Sequence, residues 1–449
     1  MILKAKWVLP VNKKPIEDGA IVVSGDRIEA VGKRKKLEKN YPDEKIKDFG
    51  QAVLMPGFID AHTHFEYSAF RGLCDDLPFT RWKLQVTEKS ECLTAEDWFF
   101  SAELGALEAI GSGITCIADI TDTGASLQAS KEAGLRGIIF NEVMGMDNSK
   151  VNQIISDAKK RVSSWQAETK GTNLEIGISP YSVYTVSPSL FKAVSHWAKE
   201  DGLTVCFHLA GSSDEYEFVK YGASPLATSF LKQMGWNDLL WQPMGVSPVK
   251  YVEQWDAFES GKVIVVHCIQ VSDADIDILK KYDVSIVHCP KCSAKLGMGI
   301  APLDKLFHQN FKVGIGMDSP ASNNTIDMFD EMRMGLLLQR GLNKKVEGLS
   351  AEKFVKMATL GGAQALRIDS QVGSLEKGKK ADLIAVDISH AHQSPVRDPY
   401  STLVYTANQE DVVFTMVGGK VLYEGGEHLT LDKEKILAMI EPVRMKLKG

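Results

Sequence analysis

Between residue 57 and about residue 320, short apolar, β-branched runs alternate with stretches of helical periodicity. Eight runs stand out: Phe58–Ala61, Ile114–Ile120, Gly137–Val143, Leu174–Ser179, Leu203–Ala210, Val263–Ile269, Val284–Cys289 and Val313–Met317. Several are almost wholly apolar, as strands covered on both faces must be, and their alternation with helices marks βα units around a parallel sheet. Thr94-Ala95-Glu96-Asp97 ahead of Trp98 to Ile110 reads as a capped amphipathic helix, closed by Gly111 and Gly113. Eight such units predict an α/β chain built on a (β/α)8 TIM barrel. An open doubly wound sheet would carry Gly-x-Gly-x-x-Gly after an early strand, and no such motif is present.

The flanks have a different grain. Ile21-Val22-Val23, Ile28 to Val31 and Ala52-Val53-Leu54 are short strands around a turn at Gly25-Asp26, and the cluster Lys33-Arg34-Lys35-Lys36 reads as a solvated loop. After about residue 365 short strands return at Asp382–Val386, Asp411–Val417 and Lys420–Tyr423, with Gly418-Gly419 as a hairpin turn. Neither flank is large enough to fold alone. The expected organisation is a small β-sandwich built from both ends: residues 1–56 and 366–430 form its halves, 57–365 form the barrel, and a helix occupies 431–449. One connection, about fifty residues between Ala210 and Lys262, is unusually long. A lid or subunit contact and an extra helix on the barrel's outside are the two readings of 211–261. The first brings an expected homo-oligomer, a dimer or tetramer.

Composition narrows the classes further. The 449 residues are 44% hydrophobic and 24% charged with a net charge of −6, which gives no reason to expect nucleic acid or an anionic membrane as partner. No signal peptide is evident, and no apolar run approaches the ~18–20 residues that span a bilayer. The seven cysteines lie mostly inside apolar runs, as reduced thiols of a cytoplasmic protein would. Cys289-x-x-Cys292 has metal or redox spacing but no companion pair, so it reads as structural.

The chemistry gathers at the strand ends. In a strand, residues i and i+2 share a face, so His62 and His64 project together, in the arrangement two imidazoles need to hold one ion. The C-terminal strand ends of a barrel all face one mouth. Strand one ends in His62 and His64, strand five in His208, strand six in His267, strand seven in His288 and strand eight in Asp318. The remaining histidines, 196, 308, 390, 392 and 428, fall in helical or loop stretches and read as surface or packing residues.

With these motifs in place, the sequence resembles the amidohydrolase superfamily, in its atrazine chlorohydrolase/cytosine–guanine deaminase-like branch. The matching segments are Met55-Pro56-Gly57-Phe58-Ile59-Asp60-Ala61-His62-Thr63-His64, Phe207-His208-Leu209-Ala210, Val266-His267-Cys268, His288-Cys289-Pro290-Lys291, Gly316 to Asn324 and Gly373 to Ile384. The resemblance implies one divalent metal ion, zinc in preference to iron(II), held by His62, His64, His208 and Asp318. It implies Asp318 and His267 as the catalytic pair, one moving the proton of the attacking water and the other polarising the substrate. Binuclear relatives carry a lysine at the end of strand four. Here that strand runs into Ser179-Pro180-Tyr181, which favours a single ion.

Three positions depart from the branch. Gly211 stands where a proton-shuttling glutamate is usual, Tyr181 where a substrate-facing histidine is usual, and Cys292-Ser293 where Ser-Asn is common. Asp214, Glu215 and Glu217 follow closely, but at a helix start they are expected to face the helix dipole and not the mouth. Tyr181, Glu66, Arg71 and Trp82 are the candidate substrate contacts, with surface pairing the competing role for the charged ones. The leading expectation is hydrolytic deamination of an amino-substituted nitrogen heterocycle, a small-molecule substrate. The alternatives are hydrolysis of a C–Cl or cyclic amide bond, which leans less on protonation, and a metal-binding homologue that has lost turnover.

Overall fold

A computed structural model describes residues 1–236 and 242–448. Eight parallel strands follow one another around a ring in chain order: β1 (Phe58–Thr63), β2 (Ile114–Thr121), β3 (Arg136–Val143), β4 (Leu174–Pro180), β5 (Val205–Leu209), β6 (Val263–His267), β7 (Ser285–His288) and β8 (Val313–Ile315). All eight expected runs are strands of this ring. Nearly every strand residue is buried, because helices cover the outside and side chains fill the inside. The ring closes through one bridge between Thr63 and Asp318, where Asp318 N–H donates to His62 O at 2.9 Å. The helix Ala95–Gly111 has the expected cap: Thr94 Oγ1 accepts from Asp97 N–H, and the Asp97 carboxylate accepts from Thr94 N–H.

The two flanks meet in a separate, mixed nine-stranded sheet. Ala52–Pro56, from the first flank, runs antiparallel to Leu383–Asp387 from the second, with Met55 opposite Ile384. Leu3, Ile21, Leu54, Leu383, Phe414 and Met416 share one apolar cluster, so neither flank has a core without the other. Gly418 and Gly419, both at positive φ, make the two-residue turn between Val412–Val417 and Lys420–Glu424. The C-terminal helix Lys433–Lys448 returns to the barrel, where Lys446 Nζ pairs with Asp97 at 2.6 Å.

The Lys33–Lys36 cluster is not a loop. Arg34–Asn40 is helical, since Arg, Lys, Leu and Glu all favour helix and Leu37 gives the turn a buried anchor. Within the long connection, Ser213–Tyr221, Leu226–Phe230 and Pro248–Gln254 are helical. Gln233 Nε2 donates to Leu84 O at 3.0 Å, and the Phe230 ring lies 5.7 Å from that of Tyr184. Part of the connection therefore packs against the helix Phe79–Ser90 that crosses the mouth. Trp241, which belongs to the same connection, lies outside the described residues. The seven cysteines are free, and among the described residues no helix is long and apolar enough to cross a membrane.

Candidate active site

At the C-terminal rim of the barrel, His62, His64, His208 and Asp318 each place one ligand-capable atom within 4.8 Å of the others. His62 and His64 lie on one strand face, their rings edge to face at 4.8 Å. Two of the three imidazoles are oriented from behind. His64 Nδ1 faces Ile120 O at 3.0 Å and His208 Nδ1 faces Tyr181 O at 2.9 Å. As N–H donors there, both rings turn an Nε2 lone pair inward. Asp318 Oδ1 lies 3.8 Å from His62 Nε2 and 3.9 Å from His64 Nε2. Among the described residues neither nitrogen of buried His62 has a hydrogen-bond partner, an arrangement that costs free energy unless something else occupies it.

Electrostatics point the same way. Burial pushes His208 down to about 4, and burial together with the neighbouring imidazoles pushes His62 and His64 well below the usual histidine range. All three are neutral at physiological pH, the form that donates a lone pair. Three neutral imidazoles and one carboxylate suit a zinc-like ion, so the donor set fits the expected metal.

Around the cluster the backbone is bent into conformations that side chains seldom adopt. Ala210, His267 and Asp318 all have φ between +52° and +79°, strain that persists where packing over-determines it. Asp60 braces the site from below, accepting from Met317 N–H at 3.0 Å and His62 N–H at 3.3 Å. His267 Nε2 stands 3.9 Å from Asp318 Oδ2, while the His62–His64 pair approaches Oδ1. His288 is buried close by but outside the four-residue group.

Above the cluster are two adjoining, narrow voids that share Trp82, Tyr181 and Asp318. Of the four expected substrate contacts, Tyr181 and Trp82 line this space. Glu66 and Arg71 do not. Glu66 is buried and fully engaged, accepting from Thr121 Oγ1, Thr123 Oγ1 and Asp122 N–H. Arg71 turns outward to pair with Glu108.

Two groups not expected from the sequence complete the walls. Lys83, one residue beyond Trp82 on the helix Phe79–Ser90, enters the space beside Tyr181. Glu215 folds back from its helix, accepting Ala210 N–H at 2.7 Å and Gly211 N–H at 2.8 Å, and lines the wall with Gly211 and His267. The backbone after β5 turns sharply enough at Ala210 to bring both amides to it, so Glu215 does not simply face the helix dipole. Burial raises its carboxyl to about 7. Asp214 instead accepts from Thr80 Oγ1, and Glu217 is exposed.

The amidohydrolase family model matches residues 53–422. The chain belongs to the amidohydrolase family. It is 32% identical over 431 residues to the 5-methylthioadenosine/S-adenosylhomocysteine deaminase of Thermoanaerobacter pseudethanolicus, covering 95% of this chain and 94% of that one. Identity to the enzyme of the same name from Moorella thermoacetica is also 32%, over 444 residues and 98% of both chains. Among solved structures, an adenosine deaminase from Xanthomonas campestris with bound zinc superimposes with a TM-score of 0.86 at 24% identity, over 100% of this chain and 98% of that one. The zinc complex of atrazine chlorohydrolase from Arthrobacter aurescens gives 0.84 at 21%, over 99% of both. These two likenesses concern the fold. An amidohydrolase on an eight-stranded barrel with a β domain from both ends is what the sequence motifs led us to expect.

Proposed function

We propose that this amidohydrolase is a zinc-dependent hydrolytic deaminase of an amino-substituted nitrogen heterocycle, with adenine nucleosides as the first substrates to test. The observation that carries the reading is the convergence of His62, His64, His208 and Asp318 beneath a void walled by aromatic rings, with His267 beside Asp318. An ion held by those four would supply Lewis-acid activation of water, the kind that brings its pKa to ~7.

The chain's own groups do the rest. Asp318, between the histidine pair and His267, accepts the proton of the attacking water and returns it to the departing amine. His267, with Nε2 3.9 Å from Asp318 Oδ2, stabilises charge developing on the heterocycle. Tyr181 and Tyr184 line the void and give it aromatic surface for a planar substrate. The wall containing Gly211 has no side chain at that position to protonate a ring nitrogen. Among the described residues lining it, Glu215 is the carboxyl other than Asp318, and a group near 7 is half protonated at neutral pH.

The support from relatives is their printed activity: proteins 32% identical over nearly the whole chain are named as deaminases of 5-methylthioadenosine and S-adenosylhomocysteine. Gly211 favours a second reading, hydrolysis of a bond whose leaving group needs no proton, such as C–Cl.

The test is product release by the zinc-loaded protein. Ammonia is measured with 5-methylthioadenosine, S-adenosylhomocysteine, adenosine and guanine, and chloride with atrazine. Ammonia from at least one purine, lost in His208→Ala and Asp318→Asn, is the expected result. Chloride without ammonia selects the second reading, and neither product rejects both. Gly211→Glu then asks whether the missing acid limits the rate. A Cβ at Gly211 would lie 3.0 Å from Met298 Cε and 3.1 Å from His267 Cδ2, so Gly211→Ala is the control for crowding His267.

A further inference from the structure

Far along the chain from the barrel cluster, a second set of metal-capable side chains meets on the β domain. His390 and His392 lie in the turn after the strand Leu383–Asp387, at the start of the short helical turn Ala391–Gln393. Asp411 immediately precedes the strand Val412–Val417. Those two strands pair antiparallel, which places the turn after one beside the turn before the other. His390 Nδ1 is 2.8 Å from Asp411 Oδ1, and His392 Nε2 is 3.3 Å from Asp411 Oδ2. One ligand atom from each of the three lies within 4.8 Å of the others.

Three features set this group apart from an ordinary surface ion pair. Both imidazoles turn a nitrogen to one carboxylate, where a simple pair needs one. The carboxylate is anchored: Asp411 is only 2% exposed, and its Oδ2 accepts from Asn408 N–H at 2.9 Å. The rings, by contrast, are half exposed and stacked at 5.6 Å, so one side of the group is open to an ion and its waters. A further carboxylate, Asp387, stands 3.9 Å from His390 Nε2. Two imidazoles and a carboxylate with an open side suit zinc and its neighbours in the first transition row, and not magnesium or calcium.

We propose that His390, His392 and Asp411 form a second divalent-metal site, separate from the barrel cluster, that takes zinc with water in its remaining positions. Its place in the fold gives it a structural role, clasping the turn after Leu383–Asp387 to the turn before Val412–Val417. The proposal does not depend on the reaction assigned to the barrel.

The experiment is metal stoichiometry. Protein stripped of metal is dialysed against micromolar free zinc, and its metal content is measured by mass spectrometry. The expected result is two ions per wild-type chain and one in His390→Ala/His392→Ala. Asp318→Asn should retain the β-domain ion. Cobalt substitution gives a second readout, with the visible absorption of wild type in excess of that of the double variant. If the double variant does not fold, as judged by circular dichroism, the single changes His390→Asn and His392→Asn replace it. An ion count that is the same in wild type and in a folded variant overturns the proposal.

Discussion

The Lys83 ammonium donates to the Tyr181 hydroxyl at 2.8 Å and lies 4.3 Å from the centre of that ring, which itself lies 4.5 Å from the His208 ring. Among the described residues no carboxylate oxygen lies within 4 Å of Lys83, and burial holds its pKa below the ordinary lysine range. Both residues line the void over Asp318, so the cation is presented to substrate already oriented. Hydrogen bonds involving a charged group contribute ~1.5–3 kcal/mol, which converts to a loss of about 10–100-fold in kcat/KM for Lys83→Met. Tyr181→Phe keeps the ring and should lose less, and the two changes should combine non-additively because they share one bond. Steady-state kinetics of the single and double variants decide it. A Lys83→Met enzyme within twofold of wild type would remove Lys83 from the substrate's surroundings.

Cys292 bears on Asp318 directly. Its thiol donates to Asp318 Oδ2 at 2.8 Å while Ser319 N–H holds Oδ1 at 2.8 Å. Burial pushes the thiol well above its usual range, so it remains a protonated donor and a poor nucleophile. Cys292→Ser keeps a donor and should stay within a few-fold of wild type. Cys292→Ala frees the carboxylate to turn, and should lower kcat about tenfold with KM little changed, the pattern of a contact needed for chemistry more than for binding. Equal activity in Ala and Ser variants would show that the thiol does not position Asp318.

These two contacts also mark where the sequence stopped being informative. Strand alternation, the His62-Thr63-His64 pair and the strand-end position of Asp318 are local patterns with a single consequence, and the barrel follows from them. Lys83 was invisible because a helix's orientation over the mouth is a tertiary fact, set here by Trp82 Nε1 bonding to Ala321 O and Asp214 bonding to Thr80. Glu215 was expected to face its helix dipole because the turn that brings the Ala210 and Gly211 amides to it is equally tertiary. Glu66 looked like a mouth residue because it follows β1, yet two threonines and an amide consume its carboxylate. Arg71 is five residues further on and has left the rim. The Lys33–Lys36 cluster misled for a simpler reason, since its charge says nothing against helix when Leu37 can be buried.

Glu331 gives the fold a dependence on pH. Its carboxyl is buried beside Asn323 Nδ2 and Lys291 N–H, and burial raises its pKa to about 8, against ~4.3 in an unfolded chain. Between those values the folded state binds the extra proton, so this group's contribution to stability falls as pH rises and the loss is complete above about 8. Glu331→Gln stays neutral throughout. The gap between the urea midpoints of wild type and variant should therefore move in the variant's favour from pH 5.5 to pH 8.5, with both proteins zinc-saturated so that metal linkage cancels. A constant gap would mean that Glu331 ionises normally in the folded protein.

The barrel and the β domain are joined by a buried ion pair whose removal should be costly. Arg136, at the start of β3, places Nε 2.6 Å from Asp382 Oδ2 and Nη2 3.2 Å from Oδ1, with 8% and 2% of the side chains exposed. Asp382 also accepts Gly418 N–H at 2.7 Å, and its carbonyl accepts Gly57 N–H at 3.2 Å. One residue thus ties β3, the hairpin turn and the entry to β1. Breaking such a pair from one side leaves an uncompensated buried charge and costs ~3–5 kcal/mol, so Arg136→Met should lower the first unfolding midpoint in urea strongly. Replacing both partners usually recovers most of that loss. Here Arg136→Met/Asp382→Leu should recover only part, because the Gly418 N–H is left without its acceptor at a further ~1–3 kcal/mol. Full recovery in the double variant would show that Asp382 serves Arg136 alone.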